Sequence, residues 1–130
     1  MDSLITLGNV NTYDIAPPKW LSKACDQMRI RENYLLGLPR FIELAGKSQE
    51  HLTRIIKKHY HITPTAYLNS IKLTNATFLL NTTKKSILEI IYECGFDNVP
   101  YFNQLFKREF GVTPRQFRYM NHRIIDPISR

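Results

Sequence analysis

An all-α fold is what this sequence predicts, with about seven helices arranged as two helix-turn-helix subdomains joined by a long linker helix. Two observations carry that expectation. Apolar residues recur at helical spacing from Lys19 onward, with glycine and proline sparse and placed between the helical stretches. The chain also repeats itself at an offset of 50 residues.

The repeat aligns Leu36–Tyr67 with Ser86–Phe117. Identical residues coincide at Leu38 and Leu88, Glu43 and Glu93, Lys57 and Lys107, Thr63 and Thr113, and Pro64 and Pro114. Similar types coincide at Leu52 and Phe102, Ile55 and Leu105, Ile56 and Phe106, Tyr60 and Phe110, Ile62 and Val112, and Tyr67 and Phe117. Two helices can always be slid into apolar phase, but a shared Thr-Pro pair is a stronger constraint. Threonine caps a helix through its side-chain oxygen, and proline suits the first helical position because its missing N–H would be unpaired there. Each repeat therefore ends by starting another helix.

In chain order, residues 1–18 show no helical period, mix Gly8, Asn9, Asn11 and Asp14, and end in Pro17 and Pro18, as a linker or tail does. Helices are expected over 19–30, 36–45, 48–59, 64–81, 86–94, 98–110 and 114–121. Ser48 and Asn98 stand as N-caps, and Ser86 with Glu89 forms a capping box. The turns Ala45-Gly46-Lys47 and Gly95-Phe96-Asp97 are the short glycine-containing links of a helix-turn-helix. The expected division is a first subdomain over 19–62, a linker helix over 63–82, a second subdomain over 83–121 and a C-terminal tail over 122–130.

Leu52, Ile55, Ile56 and Tyr60 form one core stripe, and Phe102, Leu105, Phe106 and Phe110 the other. The helical period then assigns the opposite faces. The first carries Gln49, Glu50, Thr53, Arg54 and Lys57; the second carries Val99, Pro100, Asn103, Gln104 and Lys107, with Asn98 at its head. The chain has 18 Lys and Arg against 11 Asp and Glu, a net charge of +7 that favours a polyanionic partner. Arginine pairs with guanine, asparagine or glutamine with adenine, and small apolar groups with the thymine methyl, so these faces suit double-stranded DNA. Arg54 is the principal expected base reader; Lys57 and Lys107, a turn further on, suit phosphates. Glu50 would repel phosphate unless it accepts from cytosine or pairs with a cation, and a solvated polar face is the alternative for the whole set. Pro100 offers no hydrogen bond, which leaves shape and methyl contacts.

Other classes fit less well. Cys25 and Cys94 lack metal-clip spacing and disulfide density and read as buried small apolar groups in a reducing cytoplasm. No nucleophile, base and orienting group occur together, so catalysis is not expected, although a methyl-accepting repair protein with a related DNA-binding part is a rival. His59 and His61 lack the further ligands a metal needs, and neither metal nor cofactor is expected. A helical protein-interaction module is the other rival, but the outer faces are not apolar. No apolar stretch approaches the ~20 residues of a membrane span, and no signal-like segment opens the chain.

From Leu36 to Tyr119 the sequence resembles the AraC/XylS family of bacterial regulators. SQEHLTRIIKKHYHITPTAY is similar to the family's first recognition helix and its exit. SILEIIYECGFDNVPYFNQLFKREFGVTPRQFR is similar to its longer signature, with GF, YF, FK, TP and FR in place. The resemblance implies seven helices in two homeodomain-like subdomains, with both recognition helices entering successive major grooves. It places base contacts on Glu50, Thr53 and Arg54 and on Val99, Pro100 and Gln104. Val99 and Pro100 depart from the usual polar pattern, which implies weaker discrimination by the second unit. It further implies a transcriptional activator in the cytoplasm at the nucleoid, with RNA polymerase as partner and an effector-binding or dimerisation domain outside this chain. Trp20, Leu21, Met28 and the string GKSQEHLTR resemble regulators of chitobiose-type sugar operons.

Overall fold

The computed structural model describes residues 16–125, with side chains to residue 121. Residues 1–15 of the expected N-terminal tail and 126–130 of the C-terminal one lie outside the described residues. Among the described residues there are eight helices and no strand: α1 (Lys19–Met28), α2 (Arg31–Tyr34), α3 (Leu38–Ala45), α4 (Gln49–Tyr60), α5 (Pro64–Thr82), α6 (Ile87–Glu93), α7 (Val99–Phe110) and α8 (Pro114–Ile125). The all-α expectation holds, and the 50-residue repeat reappears as geometry. Helices α4 and α7 begin and end at equivalent positions, and α5 and α8 both begin at the proline of the Thr-Pro pair.

The expected seven helices become eight because the first expected helix stops at Met28. Ile30 is extended (φ −75°, ψ 132°) and starts the single turn α2. Asn33 on that turn donates from Nδ2 to the Gln27 carbonyl at 2.7 Å, and its Oδ1 accepts from Arg40 Nε at 2.8 Å. These two bonds tie α2 to the helices on either side. Gly37 then takes φ 74°, where a side chain would be strained, so α3 starts at Leu38 rather than 36. Pro39 and Pro100 lie within the first helical turns of α3 and α7 rather than between helices; at N1 or N2 no intrahelical N–H is lost. Helix α8 runs to Ile125, past the expected tail boundary at 122, since no glycine or proline intervenes before Pro127.

The chain forms two compact units, Met1–Leu68 and Asn69–Arg130, with the division inside α5. In the first, α1 buries Leu21, Ala24, Cys25 and Met28, the i, i+3, i+4, i+7 stripe of an amphipathic helix. Tyr34 of α2, Phe41 and Ala45 of α3, Leu52 and Ile56 of α4 and Leu68 of α5 are the other buried apolar residues of the unit. In the second, Leu73, Ala76 and Leu80 of α5 join Ile90, Ile91, Cys94, Phe96, Phe102 and Phe106 in one core, flanked by half-buried Val99, Leu105, Phe110 and Phe117. The two expected stripes are thus core-facing, with Leu52, Ile56, Phe102 and Phe106 fully buried. Ile55, Tyr60, Leu105 and Phe110 are half-buried at the stripe edges.

Capping follows the expected chemistry. Ser86 and Glu89 exchange both bonds of a capping box, at 3.0 and 2.9 Å. The Thr63 hydroxyl accepts from the Ala66 N–H at 3.0 Å. Thr113 does the same for Gln116 at 3.1 Å, and the Gln116 side chain returns a bond to the Thr113 N–H at 2.9 Å. Beyond each cap, an aromatic at the same repeat position closes onto the end of the preceding helix. Tyr67 stacks on Tyr60 at 6.3 Å, and Phe117 lies 5.7 Å from Phe110. The left-handed C-cap differs: Gly111 (φ 78°) ends α7, but His61 (φ 62°) ends α4.

Truncating the fully buried stripe residues should cost about 2–5 kcal/mol for Leu52→Ala and about 3–5 kcal/mol for Phe102→Ala, read from urea unfolding midpoints. Unchanged midpoints would contradict the core assignment. His61→Gly relieves a left-handed side chain and should raise stability by about 0.5–1 kcal/mol at constant urea slope, because strain relief exceeds the added entropy of glycine. A fall in stability would mean that the exposed His61 ring makes a contact worth more than the strain.

Candidate nucleic-acid interface

The geometry of the candidate surface starts at the turns. In the first unit, Gly46 (φ 67°) ends α3, and its N–H reaches the Ile42 and Glu43 carbonyls at 3.1 and 3.2 Å. Ser48 then starts α4, its Oγ accepting from the His51 N–H at 3.1 Å. Three residues thus separate a helix that packs inward from one that lies at the surface. With Leu52 and Ile56 buried, one turn apart, rotation of α4 about its axis is set. Gln49, Glu50, Arg54 and Lys57 are exposed and Thr53 is half-buried. Gln49, Glu50, Thr53 and Arg54 line one surface depression at the N-terminal half of α4. Lys57 stands one turn beyond it.

In the second unit the connection is longer. Helix α6 ends at Glu93, and Cys94 to Asn98 lead to α7. The N–H of Phe96 reaches back to the Ile91 carbonyl at 3.1 Å, and the Phe96 ring enters the core edge-on to Phe102 at 5.0 Å. The first unit has Gly46 at this repeat position. Lys72 of α5 braces the turn from outside, its ammonium 5.3 Å from the Phe96 ring centroid and donating to the Gly95 carbonyl at 3.4 Å. Burial holds Lys72 below the ordinary lysine range, against the opposing attraction of Asp97.

On α7, Pro100, Asn103, Gln104 and Lys107 are exposed, as expected. Asn98 is exposed too, but its Oδ1 accepts from the Tyr101 N–H at 2.9 Å, so it serves the cap first. Val99 is half-buried against the core of its unit, which divides its side chain between the core and the surface. The ends of both helices have their own electrostatics. Glu50 lies in the first turn of α4, where the helix dipole favours a carboxylate; Lys57, Lys58 and His59, and Lys107 with Arg108, lie in last turns, where it favours cations. Charge at these positions therefore serves the helices as well as any partner.

Sequence reasoning missed three residues beside Arg54. His51, one turn earlier, has Nδ1 at 2.9 Å from Arg54 Nη2, a contact that the i, i+3 rule of helix surfaces could have suggested. Trp20 of α1 packs on the His51 ring with centroids 5.5 Å apart, and Lys47 Nζ lies 5.2 Å from the Trp20 ring centroid. No local pattern brings Trp20 to this place. Arg118 was missed in the same way: it donates to the carbonyls of Leu80 and Thr83 at 3.1 and 3.2 Å, at the C-terminal end of α5.

The cysteines are buried thiols, one in each unit. Burial pushes the Cys25 thiol up, away from the thiolate a nucleophile needs. Among the described residues no group of three or more His, Cys, Asp and Glu could hold a metal ion, and no helix is long and apolar enough to cross a membrane.

Comparison with known proteins bears directly on this arrangement. A family model described as a helix-turn-helix domain matches residues 42–120. The HTH-type transcriptional activator RhaS of Enterobacter sp. (strain 638) is 43% identical over 67 residues, 52% of this chain and 24% of that protein. RhaS of Salmonella paratyphi B is 42% identical over 74 residues, 57% of this chain and 27% of that protein. The matches thus span about a quarter of the length of these relatives. Among solved structures, an AraC-type transcriptional regulator from Chromobacterium violaceum superposes with TM-score 0.70 at 30% identity, over 78% of this chain and 91% of that one. The DNA-binding domain of AdpA, solved with a target DNA, has TM-score 0.71 at 21% identity, over 87% of this chain and 99% of that one, and shows the same fold. With the family model covering more than half of it, the chain belongs to the helix-turn-helix family of AraC/XylS-type transcription regulators.

Proposed function

We propose that this chain is the DNA-reading part of a bacterial transcription regulator, binding double-stranded DNA through α4 and α7, each presented to a major groove. The observation that carries the proposal is the grouping of Gln49, Glu50, Thr53 and Arg54 in one depression on the N-terminal half of α4, behind a short glycine turn. That half of a recognition helix is the part that meets base edges. Arg54 reads guanine through its two-pronged guanidinium, with Thr53, Gln49 and Glu50 contacting neighbouring bases. On α7, Asn103 and Gln104 supply the base hydrogen bonds, and Pro100 with the outer edge of Val99 senses shape and thymine methyls. Lys57, Lys107 and the Asn98 amide meet phosphates and set register.

The subdomains responsible are 19–62 and 83–121, with 63–82 as the connecting helix. The chain acts by binding rather than catalysis, in keeping with the DNA-binding regulators it resembles. The relatives named RhaS are activators and are longer than the matched segment. By that likeness the chain serves activation in the bacterial cytoplasm at the nucleoid, in concert with RNA polymerase and with an effector-binding or dimerisation domain outside this sequence.

Selection of bound sequences from a random duplex pool should return two informative blocks about one helical turn apart, the α4 block sharper than the α7 block. A single block would reduce the second unit to an anchor, and absence of duplex binding at low salt would sink the proposal. On the selected duplex, Arg54→Ala should cost about 1–3 kcal/mol and relax preference at one base pair. Equal losses on every sequence would make Arg54 a phosphate contact.

A further inference from the structure

His51 lies at the centre of a relay that runs from α1 to the reading face. The Trp20 ring packs on the imidazole at 5.5 Å between centroids, tilted by 36°. The imidazole Nδ1 in turn lies 2.9 Å from Arg54 Nη2. A guanidinium has only donors, so Nδ1 must be the acceptor. The other end of the relay is closed by the Lys47 ammonium, 5.2 Å from the Trp20 ring centroid.

We infer that His51 is a positioning residue that sets the specificity of Arg54. Arginine has a long side chain with many rotamers, and a base pair is recognised only when the guanidinium plane is presented at one angle. The bond to Nδ1 occupies one N–H of the five and leaves the others to face outward. Trp20 restrains the imidazole, and the imidazole restrains the guanidinium before any DNA arrives, which lowers the ordering cost of the contact. The second unit treats the same repeat position differently. Tyr101 replaces His51, its hydroxyl accepting from Asn69 Nδ2 at 2.9 Å, and Gln104 replaces Arg54. A ring is anchored at this position in both units, and in the first it carries an acceptor aimed at the expected reader. This inference rests on the reading of Arg54 as a base contact.

The test uses the full chain and the duplex selected by it, together with duplexes altered at the base pair that Arg54→Ala relaxes. His51→Phe keeps a ring for Trp20 and removes the acceptor. His51→Asn removes the ring and keeps an oxygen acceptor at the same bond distance from the backbone. His51→Phe should lose on the order of tenfold in discrimination at that base pair, in line with the worth of a hydrogen bond to a charged group, with its thermal midpoint unchanged. His51→Asn, which keeps an acceptor but not the ring that Trp20 restrains, should lose less than His51→Phe, and His51→Phe should add nothing in an Arg54→Ala background. Should His51→Phe fail to fold, His51→Ala against His51→Asn gives the same contrast. Wild-type discrimination by His51→Phe, while Arg54→Ala relaxes the base pair, overturns this inference alone. Equal loss in the Phe and Asn variants, or loss at a different base pair, overturns it as well. A uniform loss in Arg54→Ala overturns the base-reader reading and this inference with it.

Discussion

Burial of two side chains one turn apart on each surface helix is the constraint on which the rest depends. Leu52 and Ile56 on α4, and Phe102 and Phe106 on α7, are completely removed from solvent. A helix pinned at two points on the same stripe cannot rotate about its axis without exposing one of them, and exposing a fully buried side chain of this size costs about 1.5–3 kcal/mol. Everything on the outward face inherits its direction from that restriction. Arg54 and Gln104 point away from the core because Leu52 and Phe102, two positions earlier, point into it.

The two ends of these helices are fastened by different chemistry. At the N-terminal ends a short polar side chain, Ser48 or Asn98, satisfies an orphan N–H and fixes where the helix begins. At the C-terminal ends a left-handed residue turns the chain, and a Thr-Pro start launches the next helix, so that Tyr67 and Phe117 fold back onto Tyr60 and Phe110. Both units use this closing aromatic pair, but its polarity differs. The Tyr67 hydroxyl donates to the Cys25 carbonyl at 3.3 Å and so reaches α1, whereas the phenylalanines of the second unit close an all-aromatic cluster with Phe106. The first unit has an additional N-terminal helix to recruit; the second fills the equivalent need with larger rings and with Phe96 in its turn.

What was legible in the sequence was what obeys a short period or a local motif. The stripes, the capping box at Ser86, the Thr-Pro starts and the outward faces all follow from residues within about two helical turns of one another, the range over which periodicity speaks. The single turn α2 has no period to read, and it exists because Asn33 binds Gln27 on one side and Arg40 on the other. Trp20 and His51 are 31 residues apart, and Arg118 is 35 and 38 residues from the carbonyls it meets, so only the folded chain brings them together. The outward face was therefore legible but the contacts along it were not: Arg54 could be placed on that face, while His51, Trp20 and Lys47 beside it could not.

Asymmetry between the units follows from the same accounting of side chains. Helix α7 begins with Val99 drawn partly into the core and Pro100 without a donor, so the side chains of these two leading residues offer no hydrogen bond at the surface. Helix α4 begins with Gln49 and Glu50, both exposed, and its stripe needs nothing from them. A larger aromatic core in the second unit and a better equipped polar face in the first are thus two aspects of one division. Where the leading residues of a surface helix are called on to pack, they are withdrawn from the surface; where Trp20 of a separate helix supplies the packing, as it does for His51, the leading residues remain exposed, and Arg54 behind them lies against the imidazole.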